Sequence, residues 1–184
     1  MNPMVDMAFL LVSFFMLTTT FKVEEAVQVS RPSSFSETKL PESDIVTITI
    51  ADDGRIFFNL DGKFHRYDLL DRMGQYYEQA FSEEAKEAFS LMTSFGMEIE
   101  QMESFLEMDP DERKRVEQSG IPVDSLNNQL KHWVVFSRVV NPRVRVAINA
   151  DRKTEYAKVE KVVNTLLDNN IFRFSLVTEL EEEI

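Results

Sequence analysis

A single aspartate interrupts an apolar stretch at the start of the chain, "MNPMVDMAFLLVSFFMLTTTF". Asp6 is the one ionisable residue between Met4 and Phe21. An aspartate at the centre of a membrane helix costs about 3 kcal/mol, and such residues usually face a protein interior or a water path. Removal from water favours the neutral carboxyl, so a group that alternates between two environments can take up and release a proton. The residue types alone leave two interpretations open: a proton carrier, or an interfacial cap beside Pro3.

The length of the apolar run predicts a membrane-spanning helix over residues 4–21. About eighteen apolar residues approach the roughly twenty that cross a hydrocarbon core. A cleaved signal segment and a buried helix of a water-soluble domain are the alternatives, but no basic segment precedes the run and no small-residue cleavage site follows it. Lys22, directly after the run, weakly favours an orientation in which the chain that follows the helix lies in the cytoplasm. We expect a short basic segment to be missing before Met1.

The composition argues against several classes of function. The net charge of −12 repels phosphate backbones, so nucleic-acid binding is not expected. The chain has no cysteine and only two histidines, His65 and His132, which are far apart, so neither a metal site nor another cofactor is expected. No nucleotide-binding glycine motif and no GxSxG motif occurs. We therefore expect a protein that is not an enzyme.

Residues 22–43 are predicted to form a linker, because they are rich in Ser, Pro and Glu and lack helical periodicity. Within this linker, "AVQVS" has the pattern of a short strand. The next residues, "DIVTITIADDGRIFFNL", alternate apolar and polar residues around a turn at residues 52–54 and predict a β-hairpin.

The end of the chain predicts a βαβ unit. "RVRVAINAD" and "IFRFSLVTE" read as strands, and the helix between them places apolar residues on one face. Two strands joined by a helix call for parallel pairing and a right-handed crossover. The predicted fold class is α+β, with one domain formed by residues 44–72 and 141–180. The predicted inward face of the helix consists of Val159, Val162, Val163, Leu166 and Leu167.

Residues 73–140 are predicted to be a helical insertion in that domain. Apolar spacing indicates a helical stretch over residues 68–108, broken near Gly96. A short helix is expected from Asp109 and Pro110 to Gly120. A last helix is expected from Asp124 or Ser125 to Asn141, with Leu126, Leu130, Trp133 and Val134 inward. The Phe and Met stripes of these helices could be buried in the insertion's own fold or could dock on another protein.

The N-terminal stretch closely resembles the membrane segment of the ExbD/TolR family of biopolymer transport proteins. The family's hallmark is a proline, two residues, the functional aspartate and a Leu/Phe-rich span; here these residues are Pro3 and Asp6. The segments "DIVTITIADDGRIFFNLDGK" and "VRVAINADRKTEYAKVEKVVNTLLDNNIFRFSLVTE" are similar to the family's first hairpin and closing βαβ unit. The short form of the family lacks an equivalent of residues 73–140.

This resemblance implies a single-pass protein of the bacterial inner membrane, with its C-terminal domain in the periplasm. It implies that Asp6 carries the protons of the proton-motive force and that Pro3 supports the motif. The implied partners are a second copy of the chain, a polytopic ExbB/TolQ-like membrane protein and a TonB-like protein that spans the periplasm. The alternative is a membrane-anchored structural or binding protein that tethers peptidoglycan or a partner protein.

Overall fold

A computed structural model of the chain describes residues 3–18, 33–34, 43–124, 126–151, 154–177 and 179–180. The elements in chain order are α1 (Pro3–Thr18), β1 (Ser33–Ser34), β2 (Ile45–Ile50), β3 (Ile56–Leu60), α2 (Lys63–Tyr77), α3 (Glu83–Leu91), α4 (Ile99–Glu107), α5 (Pro110–Arg113), α6 (Gln129–Val140), β4 (Arg145–Ala150), α7 (Tyr156–Asp168), β5 (Phe174–Val177) and β6 (Glu179–Leu180). The last residues of the predicted span, most of the predicted linker and the "AVQVS" segment lie outside the described residues.

The main sheet has four strands in the order β3-β2-β4-β5. β2 pairs antiparallel with β3, as predicted for the hairpin, and parallel with β4. β4 pairs parallel with β5, so the parallel pairing predicted across α7 is confirmed, and so is the α+β class. β1 lies within the predicted linker and forms a separate two-residue parallel ladder with β6.

The hairpin turn forms because of the glycine in "DDG". Gly54 has a φ of +84°, which side chains disfavour, and its N–H donates to the carbonyl of Ala51 at 2.9 Å. The side chain of Asp53 accepts a hydrogen bond from the backbone N–H of Arg55, also at 2.9 Å. These local bonds set the register of β2 and β3.

The helical stretch predicted over residues 68–108 consists of three helices, which corrects the prediction of one break near Gly96. α2 begins earlier, at Lys63, and ends where Glu78 adopts a left-handed conformation with φ of 55°. α3 begins after Ser82, whose hydroxyl accepts a hydrogen bond from the N–H of Ala85 at 3.1 Å. α2 runs through the predicted boundary between residues 72 and 73. The division into domain and insertion stays a prediction.

Pairing at the edge of the sheet explains the second break, between α3 and α4. Phe95 and Phe58 of β3 exchange two backbone hydrogen bonds, of 2.7 and 3.0 Å. Gly120 donates to the carbonyl of Gly96 at 2.7 Å, and Ile121 donates to the carbonyl of Ile56 at 2.9 Å. These bonds hold residues 95–96 and 120–121 beside β3. The helix α5 ends at Arg113 and not at Gly120 as predicted.

Two predicted inward residues are instead exposed. α6 begins at Gln129, because the side chain of Asn128 caps it by accepting the N–H of Lys131 at 3.0 Å. Leu126 precedes the helix and is 102% exposed, whereas Leu130 is fully buried as predicted. On α7, Leu167 is 40% exposed, at the margin of the predicted face.

One hydrophobic core joins the sheet to the helices. At its centre Trp133 of α6 lies 4.6 Å from Phe95, 5.9 Å from Phe89 of α3 and 6.0 Å from Phe58 of β3, measured between ring centroids. The Phe and Met stripes of α3 and α4 enter the same core, where Met102 is fully buried. The sequence left open whether these stripes are buried within the chain or dock on another protein. The structure shows them buried within the chain.

The apolar N-terminal stretch forms α1, whose apolar side chains from Met4 to Met16 are exposed. Within the part of the chain that the structure describes, no helix is both long enough and apolar enough to cross a membrane.

Candidate functional site

The predicted site residue Asp6 lies in the first turn of α1, inside the helix and not at its N-cap position. Its side chain is exposed, as are those of the neighbouring Val5 and Met7. The unpaired N–H groups of a helix N-terminus carry partial positive charge and favour a carboxylate in the first turn. Asp6 is therefore a single carboxylate at the start of α1, surrounded by exposed apolar side chains.

Pro3 is the first residue of α1 and precedes Asp6 by three positions. Proline is well tolerated there, because the first N–H groups of a helix have no partner within the helix. Three residues correspond to about 4.5 Å along a helix axis, so the two motif residues lie within one turn. The role of Pro3 in supporting the motif stays a prediction.

A second polar residue of α1, Ser13, is absent from the sequence-based prediction. Ser13 follows Asp6 by seven residues, which is about two helical turns, so both residues lie on one face of the helix. Ser13 is half-buried, whereas the other side chains from Met4 to Met16 are exposed. The seven-residue spacing is the signal by which the sequence could have identified it.

Asp44 fixes the point where the chain leaves the predicted linker and enters the sheet. Its carboxylate accepts a hydrogen bond from the side-chain amide of Asn141 at 2.6 Å, and its N–H donates to the carboxylate of Asp61 at 3.2 Å. Its carbonyl accepts the N–H of Arg145 at 2.9 Å. We call Asp44, Asp61, Asn141 and Arg145 the strand clamp; it holds together the starts of β2 and β4 and the residue that follows β3.

A titratable pair joins α2 to α6. The hydroxyl of Tyr77 and Nδ1 of His132 form a hydrogen bond of 2.7 Å, and the ring of Tyr76 lies 4.5 Å from the imidazole ring. Partial burial lowers the pKa of His132, and the charge of Lys131 lowers it further. Burial, with smaller contributions from Tyr76 and Glu100, raises the pKa of Tyr77 to about 12. The pair is therefore neutral around pH 7.

The described residues contain no group of three or more His, Asp or Glu side chains that could hold a metal ion. The carboxylates of the strand clamp, Asp44 and Asp61, already bind backbone and side-chain donors of the fold.

The chain combines an apolar helix that carries one carboxylate with an α+β domain built on a four-stranded sheet. Its class is that of the biopolymer transport proteins. The family model described as Biopolymer transport protein ExbD/TolR matches residues 1–181. The chain therefore belongs to the ExbD/TolR family. No curated protein and no solved structure shows significant similarity to it.

Proposed function

We propose that this chain is the proton-carrying subunit of an ExbB/ExbD-type motor in the bacterial inner membrane. The single observation that carries the proposal is Asp6: it is the one ionisable residue of α1, a helix whose apolar side chains are exposed. The proposal is also supported by membership of the ExbD/TolR family of biopolymer transport proteins, whose model matches residues 1–181. The proposal includes residues 4–21 as a single membrane span, with the α+β domain in the periplasm.

Proton exchange at Asp6 is the energy-converting step of the proposal. The carboxylate accepts a proton from water on one side of the membrane, becomes neutral, and returns the proton to water on the other side. One charge that crosses a potential of about 100 mV releases about 2.3 kcal/mol, which is available for movement at each step. The protein supplies no covalent chemistry in this cycle and is not an enzyme.

The proposed partners follow from this cycle. Asp6 needs a protein surface that excludes lipid and admits water, and a polytopic ExbB/TolQ-like membrane protein would provide it. Two copies of this chain would sit in one complex. A TonB-like protein that spans the periplasm would receive the force, so that the proton-motive force drives transport at the outer membrane.

The position of the strand clamp supports a role in force transmission. The chain from α1 reaches the sheet at Asp44, directly before β2, and β2 lies between β3 and β4. A load applied along β2 is shared by the hydrogen bonds of an antiparallel ladder on one side and a parallel ladder on the other. The domain is therefore loaded at a central strand, where two ladders resist sliding.

Substitution of Asp6 tests the proposal. In cells that lack the chromosomal copy, the full chain with Asp6→Asn should fail to restore the dependent process while it still copurifies with its membrane partner. Asp6→Glu, which keeps a carboxyl, should retain part of the function. Asp168→Asn is the matched control, because Asp168 is an exposed carboxylate at the end of α7 and loses the same charge.

The alternative function, a membrane-anchored tether for peptidoglycan or a partner protein, gives the opposite result. A tether needs α1 only as an anchor, so Asp6→Asn would keep full function. That result would reject the motor, and loss of function with intact assembly would reject the simple tether.

A further inference from the structure

The two polar side chains between Met4 and Met16 lie on the same side of α1. The helix advances by about 100° per residue, so the seven residues from Asp6 to Ser13 return to within about 20° of the same direction. The two residues are about 10 Å apart along the axis. All other residues from Met4 to Met16 are apolar, and each of their side chains is exposed.

We propose that Ser13 is a positioning residue for proton exchange at Asp6, holding water on the face of α1 that carries the carboxylate. This inference rests on the proposed function. A serine hydroxyl offers one donor and two acceptor lone pairs, which is what a water molecule between two polar groups requires. A hydroxyl left without a partner in apolar surroundings costs free energy, and a bound water removes that cost. Water is therefore more stable along the face of α1 that carries Ser13 than along its apolar faces. A proton reaching Asp6 along that face passes from water to the carboxylate oxygen and changes no other bond.

The alternative is a purely structural role for Ser13 within α1. A serine inside a helix can donate to a carbonyl of the preceding turn, and its half-buried side chain fits that arrangement too. Such a bond would satisfy the hydroxyl within α1 and would leave proton exchange at Asp6, two turns away, unaffected. Removal of the hydroxyl then changes neither the rate nor the pH dependence of proton flow.

The first experiment measures proton flux through the complex of the full chain with its membrane partner in liposomes, as a function of pH. Ser13→Ala should reduce the flux about fivefold, the effect of one lost hydrogen bond, and should shift its pH profile. Ser13→Thr keeps the hydroxyl and should retain both. Ala8→Ser is the matched control, because it adds a hydroxyl to the opposite face of α1 and should change neither quantity.

The outcomes for the two proposals are distinct. If Asp6→Asn keeps full flux, the proposed function fails. If Asp6→Asn abolishes flux while Ser13→Ala matches the unchanged chain in flux and pH profile, only the role of Ser13 fails. Equal loss in Ser13→Ala and Ser13→Thr, with assembly intact, would also overturn it, because packing and not the hydroxyl would then be responsible.

A second experiment is independent of activity. The chain has no cysteine, so each single-cysteine variant carries one thiol. In the assembled complex, Ser13→Cys should react with a water-soluble maleimide faster than Phe15→Cys, which lies at similar depth on the opposite face of α1. Equal reaction rates at the two positions would contradict a water path along the Ser13 face.

Discussion

The side-chain amide of Asn141 donates a hydrogen bond of 2.6 Å to the carboxylate of Asp44, a residue 97 positions away in the sequence. This bond joins the segment before β4 to the first residue before β2, the point at which the chain from α1 reaches the sheet. The side-chain oxygen of Asn141 also accepts the N–H of Arg143 at 3.0 Å. Asn141 is 5% exposed, and both bonds are partly buried.

Loss of the Asn141 amide should destabilise the domain. We expect Asn141→Ala to lower the free energy of unfolding by about 2 kcal/mol, because the variant loses two partly buried hydrogen bonds, one of them to the carboxylate of Asp44. Urea unfolding of the full chain in mild detergent measures this value. Asn164→Ala, at an exposed position of α7, is the control and should change stability little. Equal stability of the two variants would contradict a structural role for the Asp44–Asn141 bond.

Two leucines near the start of α6 should respond very differently to truncation. Leu130 is fully buried and Leu126 is 102% exposed, although the sequence pattern placed both inward. Leu130→Ala should cost about 2–5 kcal/mol, because it leaves a cavity beside the core. Leu126→Ala should stay within about 0.5 kcal/mol of the unchanged chain. Comparable losses in the two variants, measured by urea unfolding, would place the start of α6 before residue 126.

Gly96 should not tolerate a side chain. A Cβ atom at this position would lie 2.6 Å from Cδ1 of Phe57 and 2.8 Å from the carbonyl oxygen of Ile56. We expect Gly96→Ala to lower stability by about 1–3 kcal/mol, the usual cost of overpacking. The control is Ser119→Ala, at an exposed position of the segment that pairs with Gly96. A neutral Gly96→Ala would show that the edge segment can move away from β3 without cost.

His132 should make stability depend on pH in the mildly acidic range. Burial lowers its pKa below the ordinary value of 6.5, so the unfolded chain binds a proton at a higher pH than the folded chain. The free energy of unfolding should therefore be constant with respect to this group above pH 6.5 and should decrease as pH falls below that value. The difference between unfolding curves of the unchanged chain and His132→Gln, taken across this range, isolates the effect. Parallel pH dependence in the two proteins would rule out the contribution of His132.

Local patterns in the sequence predicted the hairpin and the closing βαβ unit. Their signals lie within a few residues: the alternation of residues 45–50, the glycine at position 54 and the apolar face of α7. Such signals act through the chain's own turns and periodicity, and they need no distant partner. The choice of Asp6 as a candidate site was also local, because a lone carboxylate in an apolar run is visible in the sequence.

The helix boundaries between β3 and β4 could not be predicted as accurately from the sequence. The break predicted near Gly96 is present, but its cause, the backbone pairing of Phe95 with Phe58 of β3, and the break between α2 and α3 were not predicted. Leu126 fits the apolar stripe of α6, yet the cap formed by Asn128 starts the helix after it. In both cases a tertiary contact or a specific cap outweighed propensity, which contributes only a fraction of a kcal/mol per residue.

The sequence by itself determined the apolar helix with its single carboxylate, the α+β class and the strands of the main sheet, since each depends on spacing along a few residues. The tertiary structure alone decided where the extended edge segments pair, that α2, α3, α4 and α6 share one core with the sheet, and that Asn141 binds Asp44. These features join residues tens of positions apart, and the hydrogen bonds and buried contacts that select them exist only once the chain has folded.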